Sequence, residues 1–406
     1  MRIIGGLASV LLVVVTALIG RSVGGARAGA FAGGAAAVLS SSIFLSSVFT
    51  PAELLAVGPS AASMLLLVVA HRSPHRTPHL FFAGVLAASA LLLKQSFGDA
   101  LIAGLVYLAA SAYLDRGNRR DWVRPVAAYA GGLAVVIAGL DLFEAADRIP
   151  DGATSYALLG FRLDGLSALA GSSGGLLERF TDRLLLSLLA SGLAVLLIWS
   201  LAGLRSLRCD RSMQFTLAAW GVAGAGGVML GGSYWSHYLI QLIPFASVAG
   251  GLALARGGPI LVRLTVAALV AASLVGTIAG PSHSDGLSSS LRAETIGRFI
   301  KAHAQPGDTI YVRYSQPNID YYSGLRTPYP YDWSLMLRAI PDAQRRLRSM
   351  LRSPNRPTWI VAWEASTAYG LNADGRIKRL IDHHYRTAGR VDGTALLLTR
   401  GAHRQV

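Results

Sequence analysis

The chain has 406 residues, of which 52% are hydrophobic and only 15% charged, more apolar surface than a soluble domain of this length needs. Its formal net charge of +15 does not point to nucleic acid, because thirteen arginines lie in short loops between apolar runs, where membrane-insertion bias accounts for them. One cysteine, Cys209, excludes an intrachain disulfide and a thiolate metal cluster.

The first apolar run covers 3–20. Ala26-Arg27-Ala28 imitates a signal-peptide cleavage site, but the charges that follow favour a retained span. Further runs of membrane-spanning length lie at 29–47, 54–70, 80–94, 98–114, 125–143, 184–203, 214–230, 237–255 and 260–280. That makes ten predicted spans.

Alternate connections hold the arginines: Arg21 and Arg27; Arg72 and Arg76; Arg116, Arg119, Arg120 and Arg124; Arg205, Arg208 and Arg211; Arg256 and Arg263. Before residue 281 the opposite side has only Lys94, Arg148, Arg162, Arg179 and Arg183, plus Arg2 at the terminus. The bias puts the arginine loops in the cytoplasm and everything after 280 outside. Lys94, Gln95 and Asp99 interrupt the 80–114 stretch, which reads as a tight hairpin at the outer surface. Between 144 and 183, Leu158, Leu159, Phe161, Leu163, Leu166 and Leu169 predict either an interfacial helix or a packed loop.

From 281 to 406 the composition becomes that of an ordinary globular domain. Helices are predicted at 290–303, 342–352 and 374–384, and strands at 308–314, 358–363 and 395–399. That order predicts a small α/β domain with a mainly parallel sheet. The division is therefore 1–280, a transmembrane helical bundle, and 281–406, an extracytoplasmic α/β domain; the fold class is mainly α.

Six ionisable side chains fall at the outer ends of spans: Glu53, Lys94, Asp99, Asp141, Glu144 and His237. Each has a structural reading, such as a helix-dipole carboxylate at Glu53 or a snorkelling Lys94. Together they form a set able to receive an anionic head group. His237 and Gln241 are four residues apart and on an α-helix would share a face. His71, His75 and His79 have the spacing of a metal face, but Pro74 and Pro78 break that helix and no carboxylate joins them. No metal site is expected. His383 and His384 read as surface residues pointing apart. Tyr321, Tyr322, Tyr329, Tyr331 and Trp333 either stack on sugar rings or close a soluble core. The sequence holds no P-loop, dinucleotide fingerprint or serine nucleophile elbow.

Several stretches carry a resemblance: Pro51-Ala-Glu-Leu-Leu55, Leu91-Leu-Leu-Lys-Gln95, His237-Tyr-Leu-Ile-Gln-Leu-Ile-Pro244, Pro306-Gly-Asp-Thr-Ile-Tyr-Val312 and Pro357-Thr-Trp-Ile-Val361. In this order they resemble membrane glycosyltransferases of the C-type fold, of family 39, relatives of the dolichyl-phosphate-mannose–protein mannosyltransferases. The resemblance implies an inner-membrane transferase that takes a sugar from a polyprenyl-phosphate donor and passes it to an extracytoplasmic acceptor, without a cofactor. It implies that Glu53 occupies the second acidic position of the cavity. Lys94 and His237 are then expected to hold the lipid phosphate, with Gln95, Tyr238 and Gln241 also on the substrate.

The family's general base is an aspartate in the first outer loop, and this sequence opens at what resembles the second helix. Asp141 and Glu144 are the candidate substitutes. Two readings of that departure stay open, a longer chain upstream or a non-catalytic relative. Two other functions also stay open: a transporter or flippase of lipid-linked sugars, favoured by broken helices with midplane charges, and a silent membrane scaffold.

Overall fold

The computed structural model describes residues 2–46, 50–114, 119–170, 176–207, 210–283 and 285–402. Cys209, Arg116 and Arg208 lie outside the described residues.

Each of the ten predicted spans lies mostly on helix, although the second ends at Ser40, short of the expected 47. The first two form α1 (Arg2–Ser40), one continuous helix except at Gly25, whose φ of 84° and ψ of −178° fold the chain back on itself. A side chain would strain that left-handed angle. The two arms pack closely: a Cβ on Gly29 would lie 2.9 Å from the Ala17 carbonyl oxygen, and one on Gly33 would lie 2.9 Å from the Ala17 Cβ. The turn is thus a single residue, and the arms run past the expected limits of 20 and 29.

Next come α2 (Ala52–Arg72), α3 (Arg76–Leu93), α4 (Asp99–Leu114) and α5 (Val123–Ala146). The 80–114 stretch is a hairpin, turning over Lys94–Gly98. Small residues set the packing of α3 on α5. A Cβ on Gly84 would come within 2.3 Å of the Tyr129 carbonyl oxygen, and one on Gly132 within 2.0 Å of that of Phe81. Backbones this close gain dispersion contacts that replace the missing hydrophobic drive in lipid.

The 144–183 connection contains α6 (Phe161–Ala170), and residues 159–175 group with the second compact unit rather than with the bundle. The 184–203 span is broken: helices Leu177–Ala190 and Leu193–Arg205 (α7) meet at 72°, with Gly192 at φ 78° between them. Then follow α8 (Arg211–Met229), α9 (Ile243–Arg256) and α10 (Pro259–His283). Among the described residues, six helices are long and apolar enough to cross a membrane, counting the whole of α1 once, and the bent pair adds a seventh. The chain is a multi-pass membrane protein.

The first unit comprises residues 1–158 and 176–280. Its core runs through Leu12, Ile19, Leu54, Met64, Tyr107, Trp220, Ile243 and Leu252.

The second unit comprises 159–175 and 281–406. It contains α11 (Asp285–His303), β1 (Ile310–Val312), α12 (Asn318–Ser323), α13 (Ser334–Ala339), α14 (Ala343–Arg352), β2 (Trp359–Ala362), α15 (Arg376–His384), β3 (Tyr385–Val391) and β4 (Thr394–Thr399). Sheet order is β1-β2-β4-β3. Only β1 and β2 are parallel; β2–β4 and β3–β4 are antiparallel. The expected mainly parallel sheet is therefore corrected. The missed strand is β3, which begins where α15 ends and turns back through Asp392-Gly393, both at positive φ. Asp-Gly with two positive φ values is the two-residue hairpin turn whose twist matches the strands. Within this unit α6 packs on α13, with Leu335 against Gly165 and Arg338 donating to the Ala168 carbonyl. His383 and His384 do not point apart, since their rings meet edge-on at 4.6 Å.

Candidate functional site

Glu53 enters in the first turn of α2, behind Pro51 in extended backbone. A carboxylate there complements the helix dipole. Lys94 ends α3 and starts the turn to α4. Its N–H still donates to Ala90 O at 3.0 Å, while its own carbonyl accepts from Phe97 N at 2.9 Å. Phe97 is wholly buried and anchors that turn. His237 and Tyr238 lie on a 3-10 segment, Ser236–Leu242, which leads into α9. Ser236 Oγ and Ser46 Oγ are 2.8 Å apart, tying that segment to the end of the α1 region.

These elements bring three side chains onto one oxygen. Lys94 Nζ lies 2.9 Å from Glu53 Oε1, and His237 Nε2 lies 3.8 Å from the same atom. Glu53 is 2% exposed, against 25% for Lys94 and 27% for His237. The carboxylate sits inside, and the Lys94 ammonium and His237 imidazole form its outer wall. Although Lys94 is in ionic contact, Oε1 has no hydrogen bond of adequate alignment. The attraction is mainly charge on charge, and the donor hydrogens of Lys94 remain available to a second anion.

Aromatic rings frame the pair. Lys94 Nζ is 5.3 Å from the Tyr238 ring centre. His237 meets the Tyr238 ring edge-on at 5.1 Å and lies parallel to Trp235 at 6.4 Å. On Trp235, in turn, rests the Arg183 guanidinium, 4.3 Å from the ring. Arg183 was legible only as one of the few arginines on its side of the membrane, with nothing in the sequence linking it to Trp235. The site therefore brings Lys94 and His237 to a single carboxylate, with Arg183 stacked on the neighbouring Trp235, an arrangement able to meet an anion.

Gln241 is not on the His237 face. In a 3-10 helix the residue three positions on is eclipsed, so Gln241 aligns with Tyr238 instead. They turn toward Gly227 of α8 and Gly231 just beyond its end: a Cβ on Gly231 would meet Tyr238, and one on Gly227 would meet Gln241. Gln241 is 2% exposed and its Nε2 donates to Ser96 O at 2.8 Å. It clamps the His237 segment to the Lys94–Gly98 turn. Beneath that turn Asp99, 2% exposed, accepts from Ser60 Oγ at 3.2 Å and from Gln241. This buried support was not foreseen, because it depends on α2, α4 and the 3-10 segment meeting.

Gln95 faces away, with Nε2 donating to Ala157 O at 3.3 Å. Asp141 is exposed and Glu144 half-buried on α5, and neither makes an ion pair or hydrogen bond with the Glu53 cluster.

The opposite end of the bundle holds another polar group. His71 Nε2 is 3.0 Å from Asp210 Oδ2, and Asp210 Oδ1 caps α8 by accepting from Met213 N at 3.1 Å. Arg76 rests over Trp122 at 4.8 Å, and Ser111 and Ser212 hydroxyls are 2.5 Å apart. His79 Nδ1 contacts the His75 carbonyl, so the three histidines have separate partners or directions.

No family model and no curated protein sequence matches the chain. Among solved structures it is similar to ArnT from Cupriavidus metallidurans in the apo state, with TM-score 0.66 and 14% identity over 100% of this chain and 83% of that one. ArnT bound to undecaprenyl phosphate gives the same TM-score and identity, with 84% of that chain covered. The archaeal oligosaccharyltransferase AglB from Archaeoglobus fulgidus, in complex with an inhibitory peptide and a dolichol-phosphate, gives TM-score 0.52 and 11% identity over 98% of this chain and 63% of that one. These likenesses show the fold: an apolar helical bundle followed by a small sheet domain, as in those structures.

Proposed function

We propose that this chain is a membrane glycosyltransferase that takes a sugar from a polyprenyl-phosphate donor and passes it to an acceptor on the extracytoplasmic face. The observation that carries the reading is the convergence of Lys94 and His237 on buried Glu53 at one end of an apolar bundle. A donor whose tail stays in the bilayer presents its phosphate at that depth. In the transfer an acceptor hydroxyl attacks the anomeric carbon, the bond from that carbon to phosphate oxygen breaks, and polyprenyl phosphate leaves. Lys94 and His237 meet the charge that develops on the leaving oxygen, where fixed donors in a dry site are most effective. Glu53 orients both side chains, and the hydroxyl proton passes to a carboxylate base, for which Glu53 is the first candidate to test. In this reading the arginine-rich end faces the cytoplasm and the second unit lies outside.

A transporter of the same lipid is favoured by one feature, the break at Ser191-Gly192. That break contains no ionisable residue, whereas transport sites in broken helices are lined by polar groups that bind the cargo. Nanodisc-reconstituted protein, supplied with undecaprenyl-phosphate-linked sugar and cell-envelope acceptors, separates the readings. Transfer is expected to release undecaprenyl phosphate, and Lys94→Met to slow that release roughly 10²-fold or more, the size of losing one transition-state donor. Movement of intact donor across vesicles without release would replace the transferase by the transporter. Equal release by wild type and Lys94→Met would remove the site.

A further inference from the structure

The second unit carries a cluster of polar and aromatic groups that donor chemistry in the bundle does not use. In α/β sheets the carboxyl ends of adjacent parallel strands are where loops diverge and ligands settle. Here that edge belongs to β1 and β2, the parallel pair. Beyond it, four non-glycine residues hold left-handed backbone: Tyr314 at φ 71°, Gln316 at 67°, Tyr369 at 60° and Asn372 at 54°. Each such angle costs of order 1 kcal/mol and persists only where surroundings enforce it.

The enforcement is visible as bonds between the two loops and within the second. Arg313 Nε donates to Glu364 O at 2.5 Å, Tyr314 Oη to Ser366 O at 2.9 Å, and Tyr369 Oη to Glu364 Oε1 at 3.2 Å. Ser334 N donates to Tyr314 O at 2.8 Å, so Asp332 and Trp333 arrive at the same edge.

Two kinds of group remain uncommitted there. Tyr321 is 81% exposed and Trp333 51%, large flat rings in water. Tyr311 is 2% exposed, yet its hydroxyl has no hydrogen-bond partner, and neither have the buried Oδ1 atoms of Asp320 and Asn318. Asp332 is close enough to act electrostatically on both Asp320 and Tyr311. Neither aspartate makes an ion pair among the described residues. Buried polar atoms left unmade are costly, and their concentration beside bare aromatic faces calls for a ligand with both character types. A cation would use the carboxylates and ignore the rings. A saccharide uses both: C–H faces of the ring lie on indole or phenol, and hydroxyls donate to carboxylates.

We propose that the loops beyond the carboxyl ends of β1 and β2 bind a carbohydrate, with Trp333 and Tyr321 as stacking faces and Asp320 and Asp332 as hydroxyl acceptors. This goes beyond the donor reading and is independent of it, since the site is built from second-unit residues alone. It gives the second unit a task, holding a glycan by chemistry that does not involve phosphate.

The test is saturation-transfer-difference NMR on the full chain in nanodiscs, with methyl α-mannopyranoside, methyl β-galactopyranoside and methyl α-arabinofuranoside as probes. Ring-proton transfer is expected from at least one. It should fall about tenfold in Trp333→Ala, the loss of one good stacking contact, and clearly in Asp332→Asn at unchanged melting temperature. Lys94→Met should leave it intact. Absence of transfer from all three probes overturns the proposal, as does full signal in both Trp333→Ala and Asp332→Asn. Signal lost in Lys94→Met alone would assign the sugar to the bundle and likewise overturn it.

Discussion

The two ends of the helical bundle hold similar residues and use them differently. At one end Asp210 is shared between His71 and the first turn of α8, and its side chain is 39% exposed. There His71 ties α2 to the start of α8, Ser111 and Ser212 tie α4 to α8, and both carboxylate oxygens are used. At the other end Glu53 is 2% exposed and draws Lys94 and His237 to a single oxygen without a well-aligned hydrogen bond. Burial without full satisfaction is costly, so it marks a place shaped by something other than stability. A satisfied acid ties a bundle together. An unsatisfied one, faced by Lys94 and His237, is where the account places an anion.

The comparison breaks first on sidedness. Reporter fusions after Leu207, at the arginine end, and after Ala304, in the second unit, are expected to give opposite compartments. The same compartment for both would remove the polarity on which the assignment rests. Activity is the next discriminator. Glu53→Gln is expected to lower donor turnover about 10²-fold or more, while Asp210→Asn leaves it within about twofold of wild type, a change too small to mark a lost catalytic contact. Asp210→Ala instead loses a helix cap, about 1 kcal/mol, read as a lower melting temperature with turnover retained. Equal losses of turnover at both ends would dissolve the contrast.

A smaller effect is expected at the clamp. Gln241→Leu leaves the Ser96 carbonyl without its donor, at about 1–3 kcal/mol. Amide hydrogen exchange over 233–242 should quicken, with KM for donor rising more than kcat falls. Unchanged exchange would show that the 3-10 segment is held by packing alone.

The second unit offers the mildest perturbation. Burial, and then the charge of Asp332, raise Asp320 from 3.8 to about 7. The folded state therefore binds this proton more tightly than the unfolded one. Its ionisation penalises folding progressively from about pH 4 and fully above about pH 7. Asp320→Asn removes that penalty, so the variant should melt above wild type at pH 8 and level with it at pH 4. A gain of equal size at both pH values would contradict the assigned cause. Asp332, raised in the same direction by burial, would retain its own weaker dependence.

Much of the bundle was legible because lipid imposes simple rules. Apolar run length located the helices, and the Lys94–Asp99 interruption located the hairpin. Breaks depended on single residues that composition hides, Gly25 within α1 and Gly192 before α7. The candidate site was legible as a set of end-of-span charges, since few reasons exist to place Glu53, Lys94 and His237 there. Its internal support was not. Reading Ser236–Leu242 as α-helix put Gln241 on the wrong face, because the tighter 3-10 winding is set by tertiary contacts with Gly227 and Gly231 rather than by local propensity. In the second unit the Asp392-Gly393 signal was present in the sequence. Missing it hid β3 and made the sheet look parallel.

The central claim is that the buried Glu53 end, not the satisfied Asp210 end, receives a lipid phosphate. Native mass spectrometry of the detergent-solubilised chain with undecaprenyl phosphate tests it most directly. One lipid is expected to bind wild type, with affinity reduced about tenfold or more in Lys94→Met, a loss of at least about 1.4 kcal/mol, and unchanged in Asp210→Asn. Binding that survives Lys94→Met and His237→Ala undiminished, or that is lost in Asp210→Asn, would contradict the account.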